Sequence, residues 1–174
     1  MARRPILPGV PTPRRGDPNC AISVCLAIFA QVDCILVIMQ GTTACIDIQF
    51  FTKDGKPLNL DKYDEFQILL FNDLECAVAN FFYPEVPTGC KGFPIEILQY
   101  TDSKGNIHNE GLVRICLTKE CTAAMSPGPI FAEMLLTYRD TAGTEEVQGI
   151  SCLKVADVIV SRIQDLGCDS GVCG

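Results

Sequence analysis

A chain of 174 residues, 48% apolar and 20% charged, belongs among globular rather than disordered proteins, and it can bury about two-thirds of the surface its unfolded form exposes. Arg3, Arg4, Arg14 and Arg15 precede the first acid, Asp17, so under a net charge of −7 the remainder sets ten of the fourteen basic groups against 21 acids, a net of −11. Such a body repels a phosphate backbone, because duplex binding needs several Lys or Arg to displace counterions, and no nucleic-acid partner is expected.

Residues 1 to 19, MARRPILPGVPTPRRGDPN, hold five of the eleven prolines. That density forbids a helix or a central strand. As polyproline-like chain rising ~3.1 Å per residue, the segment reaches roughly 60 Å. One reading is a disordered tail. The functional one is an extended arm that orders on a partner, with guanidinium forks meeting carboxylates or carbonyls. Arg3, Arg4, Pro5, Arg14 and Arg15 are its candidate partner-binding residues.

Ala21 to Met39 is the most apolar stretch and imitates an export signal or a membrane span. Gln31 and Asp33 interrupt it, and Gly41 arrives before about twenty apolar residues accumulate. Two strands, about 21 to 29 and 32 to 39, are the preferred reading, and no membrane partner is expected. From Gln40 to Asp73 the pattern predicts a hairpin. Ile46-Asp47-Ile48-Gln49-Phe50 alternates with period two, Asp54-Gly55 supplies a tight turn, Pro57 ends the ladder, and Phe66 to Phe71 resumes as a strand.

Cys76 to Tyr83 is a strand stopped by Pro84 and Pro87, Phe93 to Thr101 another, and Asp102 to Asn106 a turn. Leu112 to Thr118 alternates again, and Thr118 caps a helical turn or two that Ser126-Pro127-Gly128-Pro129 ends. Ile130 to Tyr138 is a strand, Asp140 to Gly143 a turn, and Val147 to Val160 one long strand or two short ones. Strands every ten to fifteen residues with little helical periodicity describe an all-β chain. The expected fold is an antiparallel β-sandwich with one short helix and an extended Pro/Arg-rich N-terminal arm. Its parts are the arm at 1–20, the sandwich at 21–165 and a C-terminal tail at 166–174.

Eleven cysteines are many, and the number is odd. Cys25, Cys34, Cys45, Cys116 and Cys152 sit at strand-like positions, which favours reduced thiols used as small hydrophobes in a reducing cytoplasm. The alternatives are a metal site, with Cys116, Cys121, Cys168 and Cys173 the first group to test, and disulfides, with the terminal pair as one choice. Asp54, Asp61, Asp64 and Glu65 offer a calcium alternative to a solvated turn. Phe81-Phe82-Tyr83 is read as a half-buried strand in preference to an exposed aromatic platform. The one histidine, His108, lies beside Glu110 in a stretch read as a solvated turn, and no nucleophile, base and orienter converge in the pattern. No catalytic residue, cofactor or metal is expected.

Gly41-Thr42-Thr43 opening a strand, then Asp54-Gly55-Lys56-Pro57-Leu58-Asn59-Leu60, then an apolar strand, resemble the N-terminal β-sandwich of phage baseplate upper proteins and related fibre or head-fibre attachment proteins. Gly111 to Thr118, Met125-Ser126-Pro127-Gly128, Ile130 to Tyr138 and Gly149 to Val155 extend the resemblance over about residues 32 to 163. It implies a non-enzymatic component of a tailed-phage virion (head fibre, decoration, or baseplate and tail attachment protein), synthesised in the host cytoplasm. Its residues 1–19 would anchor it to other virion structural proteins of shell or tail, and the sandwiches would associate as a dimer or trimer. The competing reading is an exported or lipid-anchored surface adhesin, with residues 21–39 as its export signal.

Overall fold

The computed structural model describes residues 28–139 and 142–160. The partner-binding candidates Arg3, Arg4, Pro5, Arg14 and Arg15 lie outside the described residues, as do Cys168 and Cys173.

Two sheets face each other. The four-stranded sheet runs β1 (Ile28–Gln31), β3 (Ala44–Thr52), β8 (Ile107–Leu117), β7 (Glu96–Thr101). The six-stranded sheet runs β2 (Leu36–Met39), β10 (Glu145–Ile159), β9 (Gly128–Arg139), β4 (Glu65–Asn72), β5 (Ala77–Tyr83), β6 (Phe93–Pro94). Period-two alternation turns Ile46, Ile48 and Phe50 of β3 and Val113, Ile115 and Leu117 of β8 toward Phe66, Ile68 and Leu70 of β4 and Ala132, Met134 and Leu136 of β9. Burying these side chains at roughly 25 cal/mol per Å² holds the layers together. The one α-helix among the described residues, α1 (Lys119–Ala123), follows β8; Thr118 caps it by accepting from the Cys121 amide, and the buried Thr122 hydroxyl donates to the Thr42 carbonyl.

The chain is thus the expected all-β antiparallel sandwich with one short helix, with two parallel pairings added at the edges, β2 with β10 and β5 with β6. With β1, β3, β8 and β7 taken as strands A, B, E and D, and β10, β9, β4, β5 and β6 as G, F, C, C′ and C″, the strand order is that of a variable-type immunoglobulin sandwich. The β3–β4, β5–β6 and β9–β10 connections then share one end of the molecule.

Several expectations are corrected. The run from 40 to 73 is not a hairpin, since β3 pairs with β1 and β8 while β4 pairs with β5 and β9. The turn itself forms: the Gly55 amide donates to the Thr52 carbonyl at 2.9 Å, and Gly55 has φ +80°. Pro57 makes one bridge to Phe51, and buried Leu58 and Leu60 then carry the chain across the end of the sandwich into the other sheet. This crossing presses on β8 where Gly111, at φ +77°, has no room for a Cβ: one built there meets the Phe50 carbonyl oxygen at 2.5 Å and that of Leu58 at 2.9 Å.

Of the two early strands, residues 21–27 lie outside the described set, and β1 and β2 belong to different sheets. The strand expected over Phe93 to Thr101 divides at buried Ile95, leaving β6 in one sheet and β7 in the other. Of the expected Val147 to Val160, all but Val160 belongs to one long strand, β10, with a bulge between Ile150 and Leu153 and Cys152 at φ +59°. In the expected Asp140 to Gly143 turn, residues 140 and 141 lie outside the described set.

Candidate functional site

The outer face of the six-stranded sheet carries a cleft of about 390 Å³ at the end where the three connections meet. Register assembles it: Glu65 opposite Thr137, Thr137 opposite Val147, and Gln67 between Leu135 and Phe82. Phe82 points outward yet is only 8% exposed. The β5–β6 connection accounts for this by folding back over it, so closely that a Cβ at Gly92 would lie 2.6 Å from the Phe82 ring. Tyr83 stacks on Phe66 with ring centroids 5.0 Å apart. Leu135 and Val147 remain solvent-facing on the opposite side. Glu65 and Glu85 line the cleft, and among the described residues no basic side chain does. As for the aromatic triplet, Phe81 is fully buried in the core, so the strand reading of Phe81-Phe82-Tyr83 describes it and an exposed platform does not.

The outer face of the four-stranded sheet carries a disulfide between Cys45 and Cys116, directly opposed on β3 and β8 with Cα atoms 4.1 Å apart. Reduced core filler is therefore the wrong reading for these two. Ile46 and Ile115 point inward, so their neighbours Cys45 and Cys116 must point outward, and register places the thiols side by side. Two residues along the same face, Arg114 holds Asp47 through a two-pronged ion pair at 2.7 and 2.9 Å. That hydrogen bond lowers the Asp47 pKa despite partial burial and raises that of Arg114. The proposed metal group is broken up, because Cys116 is committed to the disulfide and two of its members lie outside the described residues. Burial pushes the Cys121 thiol up. Among the described residues no group of three or more His, Cys, Asp or Glu is placed to hold a metal ion, the Asp54, Asp61, Asp64 and Glu65 group included.

His108 lies in strand β8 and not in a turn. Its Nε2 is 2.7 Å from Asp102 Oδ2, its ring stacks on Tyr100 at 5.1 Å, and the Tyr100 hydroxyl donates to Glu110 at 3.1 Å. Asp102 also accepts from the amides of Lys104 and Asn106, so this cluster closes the β7–β8 turn. The His108 contact, followed by the Asn106 amide, holds the Asp102 carboxyl down to about 2. Its hydrogen bonds are complete above the ordinary carboxylate value near 3.9 and are lost as pH falls through 2. In a carbon-13 titration Asp102 is expected to show a midpoint near 2. His108→Ala should move it up toward the ordinary value, and an unmoved midpoint would show that the ring does not hold the carboxylate.

The disulfide and the cleft were both missed in the sequence. Cys45 stands two residues before Asp47 and Cys116 two after Arg114, a polar-face spacing that carries the signal for the first. No local pattern signals the second, because its walls come from four strands.

No family model matches the chain, and no curated protein does. Among solved structures, a marsupial T cell receptor is similar at 8% identity and TM-score 0.41, over 78% of this chain and 35% of that one. A chimeric titin Z1Z2 functionalised with a KLER exogenous peptide from decorin is similar at 10% identity and TM-score 0.26, over 76% of this chain and 47% of that one. The chain thus spans about a third of the first structure and about half of the second.

Proposed function

We propose that the chain is a non-enzymatic structural component of a tailed-phage virion (a head fibre, decoration protein, or baseplate or tail attachment protein) whose sandwiches associate as a dimer or trimer and whose residues 1–19 anchor it to shell or tail. The observation that best supports association is the apolar strip at the β2 edge. There Ile35, Val37, Met39, Ile159 and Val160 are exposed, Val37 at 61%, on the outermost strand of its sheet. Such an edge invites pairing with another surface. The use of His108 and Asp102 to close a turn is consistent with a non-catalytic role.

The anchor is tested by deleting residues 2–19. The truncated protein should remain soluble and folded but drop out of its particle, and replacing the four arginines by Gln should weaken attachment at an unchanged melting temperature. Incorporation of the truncated chain at normal occupancy would remove the anchor from this reading.

The second reading, an exported or lipid-anchored surface adhesin, is favoured by the solvent-facing Cys45–Cys116 disulfide, because such bonds persist in oxidising surroundings. Intact mass of the mature protein separates the two: loss of the first forty or so residues supports export and ends the virion reading.

A further inference from the structure

A free thiol stands beside the Cys45–Cys116 bridge. Cys34 lies in the connection between β1 and β2, where the chain leaves the four-stranded sheet for the six-stranded one, and it is exposed and unbonded. Register brings it close to the level of Cys45. Gln31, the last residue of β1, pairs with Gln49, and from that pair the two antiparallel segments run side by side, three residues on to Cys34 and four back to Cys45. Continued straight, at about 4.8 Å between strands and about 3.4 Å per residue, they would hold the two Cα atoms roughly 6 Å apart, within the range a disulfide spans. The chain bends at Asp33 and Cys34 to reach β2, yet it stays against β3: Asp33, Cys34 and Leu36 line a cavity of about 200 Å³ together with Cys45, Ile46 and Asp47.

The bridge presents its two sulfurs unequally to this cavity. Cys45 is exposed and lines it, whereas Cys116 is half-buried on the next strand, β8, and does not. A thiolate at Cys34 therefore meets Cys45 first. Other thiols stand elsewhere: Cys76 and Cys90 on connections of the six-stranded sheet, and Cys121 in α1 against the Val78 carbonyl.

We propose that Cys34 exchanges with the Cys45–Cys116 bridge, so that the body carries two alternative disulfides. The Cys34 thiolate attacks the Cys45 sulfur in line with the S–S bond. The Cys34–Cys45 bond forms, the Cys45–Cys116 bond breaks, and its electron pair leaves on Cys116. The proton that Cys34 gives to water is matched by one that Cys116 takes up, so one disulfide and one thiol are present throughout and no oxidant or reductant is consumed. Tethering supplies the attacking thiol at an effective concentration of about the millimolar range or above. Exchange moves the staple from two neighbours within one sheet to the point where the chain passes between the sheets, and it bares a thiol on β8. This goes beyond both functional readings and rests on neither, since it needs no partner.

The test uses the full-length oxidised protein, held at about pH 8 without oxidant or reductant so that thiolate is present. It is then quenched in acid, labelled with N-ethylmaleimide, and digested with trypsin and an Asp-specific protease for mass spectrometry. Residues 33–46 form one peptide that holds both Cys34 and Cys45, and residues 115–119 another that holds Cys116. In the starting form the two peptides are joined and Cys34 carries the label. Exchange is expected to give an internally bridged 33–46 and a labelled 115–119 in at least about a tenth of the molecules, because both bonds are made by the same chemistry within one folded body. Cys34→Ser, at an exposed position, should abolish the label on Cys116. A smaller exchanged share, or a label on Cys116 that persists in Cys34→Ser, overturns the proposal. A second variant does not depend on where the equilibrium lies. In Cys116→Ser, mild oxidation with diamide should close 33–46 on itself; failure to close, or joining of two copies through these cysteines instead, overturns the proposal as well. None of these results bears on the 2–19 deletion or on the intact mass, so the exchange and the functional readings fail separately.

Discussion

Replacing Cys45 and Cys116 by serine is expected to lower the stability of the folded body by about 2–4 kcal/mol, the usual contribution of a bridge closing a long loop. Here the two cysteines are 71 residues apart, and the closed segment holds most of β3, all of β4, β5, β6 and β7, and most of β8. Much of the gain comes from the unfolded chain, which loses the conformations in which these strands drift apart. Thermal unfolding gives the measurement: for a body of this size the midpoint should fall by about 6–15 °C. Reductant should bring the unaltered protein to the same midpoint. A control is Cys76→Ser, which removes an exposed thiol and should change nothing. If the double serine variant melts with the unaltered protein, the bridge does not form in solution, and the support it lends to an oxidising environment goes with it.

The second large effect is expected at Gly111. Alanine there must hold φ near +77° and place its Cβ 2.5 Å from one backbone oxygen and 2.9 Å from another. The strain of a left-handed alanine costs about 1 kcal/mol or more. Neither oxygen can move without displacing β3 or the crossing segment at Leu58, so a total of about 3 kcal/mol is expected. Gly105 separates the two contributions. It has φ +83° but nothing within 4 Å, so Gly105→Ala should cost only the backbone strain. Urea midpoints with unchanged slopes would report both values. Equal losses at the two positions would mean that the crossing segment does not press on β8.

The contrast between these glycines also shows what the sequence could convey. Alternation in Ile46 to Phe50, Phe66 to Phe71 and Leu112 to Thr118 marks which face of each strand is buried, and the sandwich follows from it. A turn signal such as Asp54-Gly55 says that the chain reverses, but not which sheet the next strand joins. That choice is made by Leu58 and Leu60 finding the core, by the Leu58 amide donating to the Phe50 carbonyl, and by Gly111 leaving room beneath the crossing. The switch at Ile95 is hidden for the same reason, because a strand that changes sheets keeps its β character on both sides. Cys45 and Cys116 looked like small hydrophobes because each stands beside inward-facing isoleucines, and only register reveals that they face outward together. The cleft depends on strands as far apart as Glu65 and Val147, whose meeting is a property of the topology.

The placement of β1 and β2 has a mechanical consequence. Among the described residues, Ile28 lies beside the β3–β4 connection and Ile159 lies beside Met39 at the opposite end. β2 lies parallel to β10, and its four register pairs run from Leu36 with Ala156 to Met39 with Ile159. A pull on Ile28 against Ile159 is therefore directed along these strands. It loads the backbone hydrogen bonds of the β1–β3 and β2–β10 pairs together, in shear, instead of opening them one after another. A body tethered by its first residues would resist tension with both sheets at once.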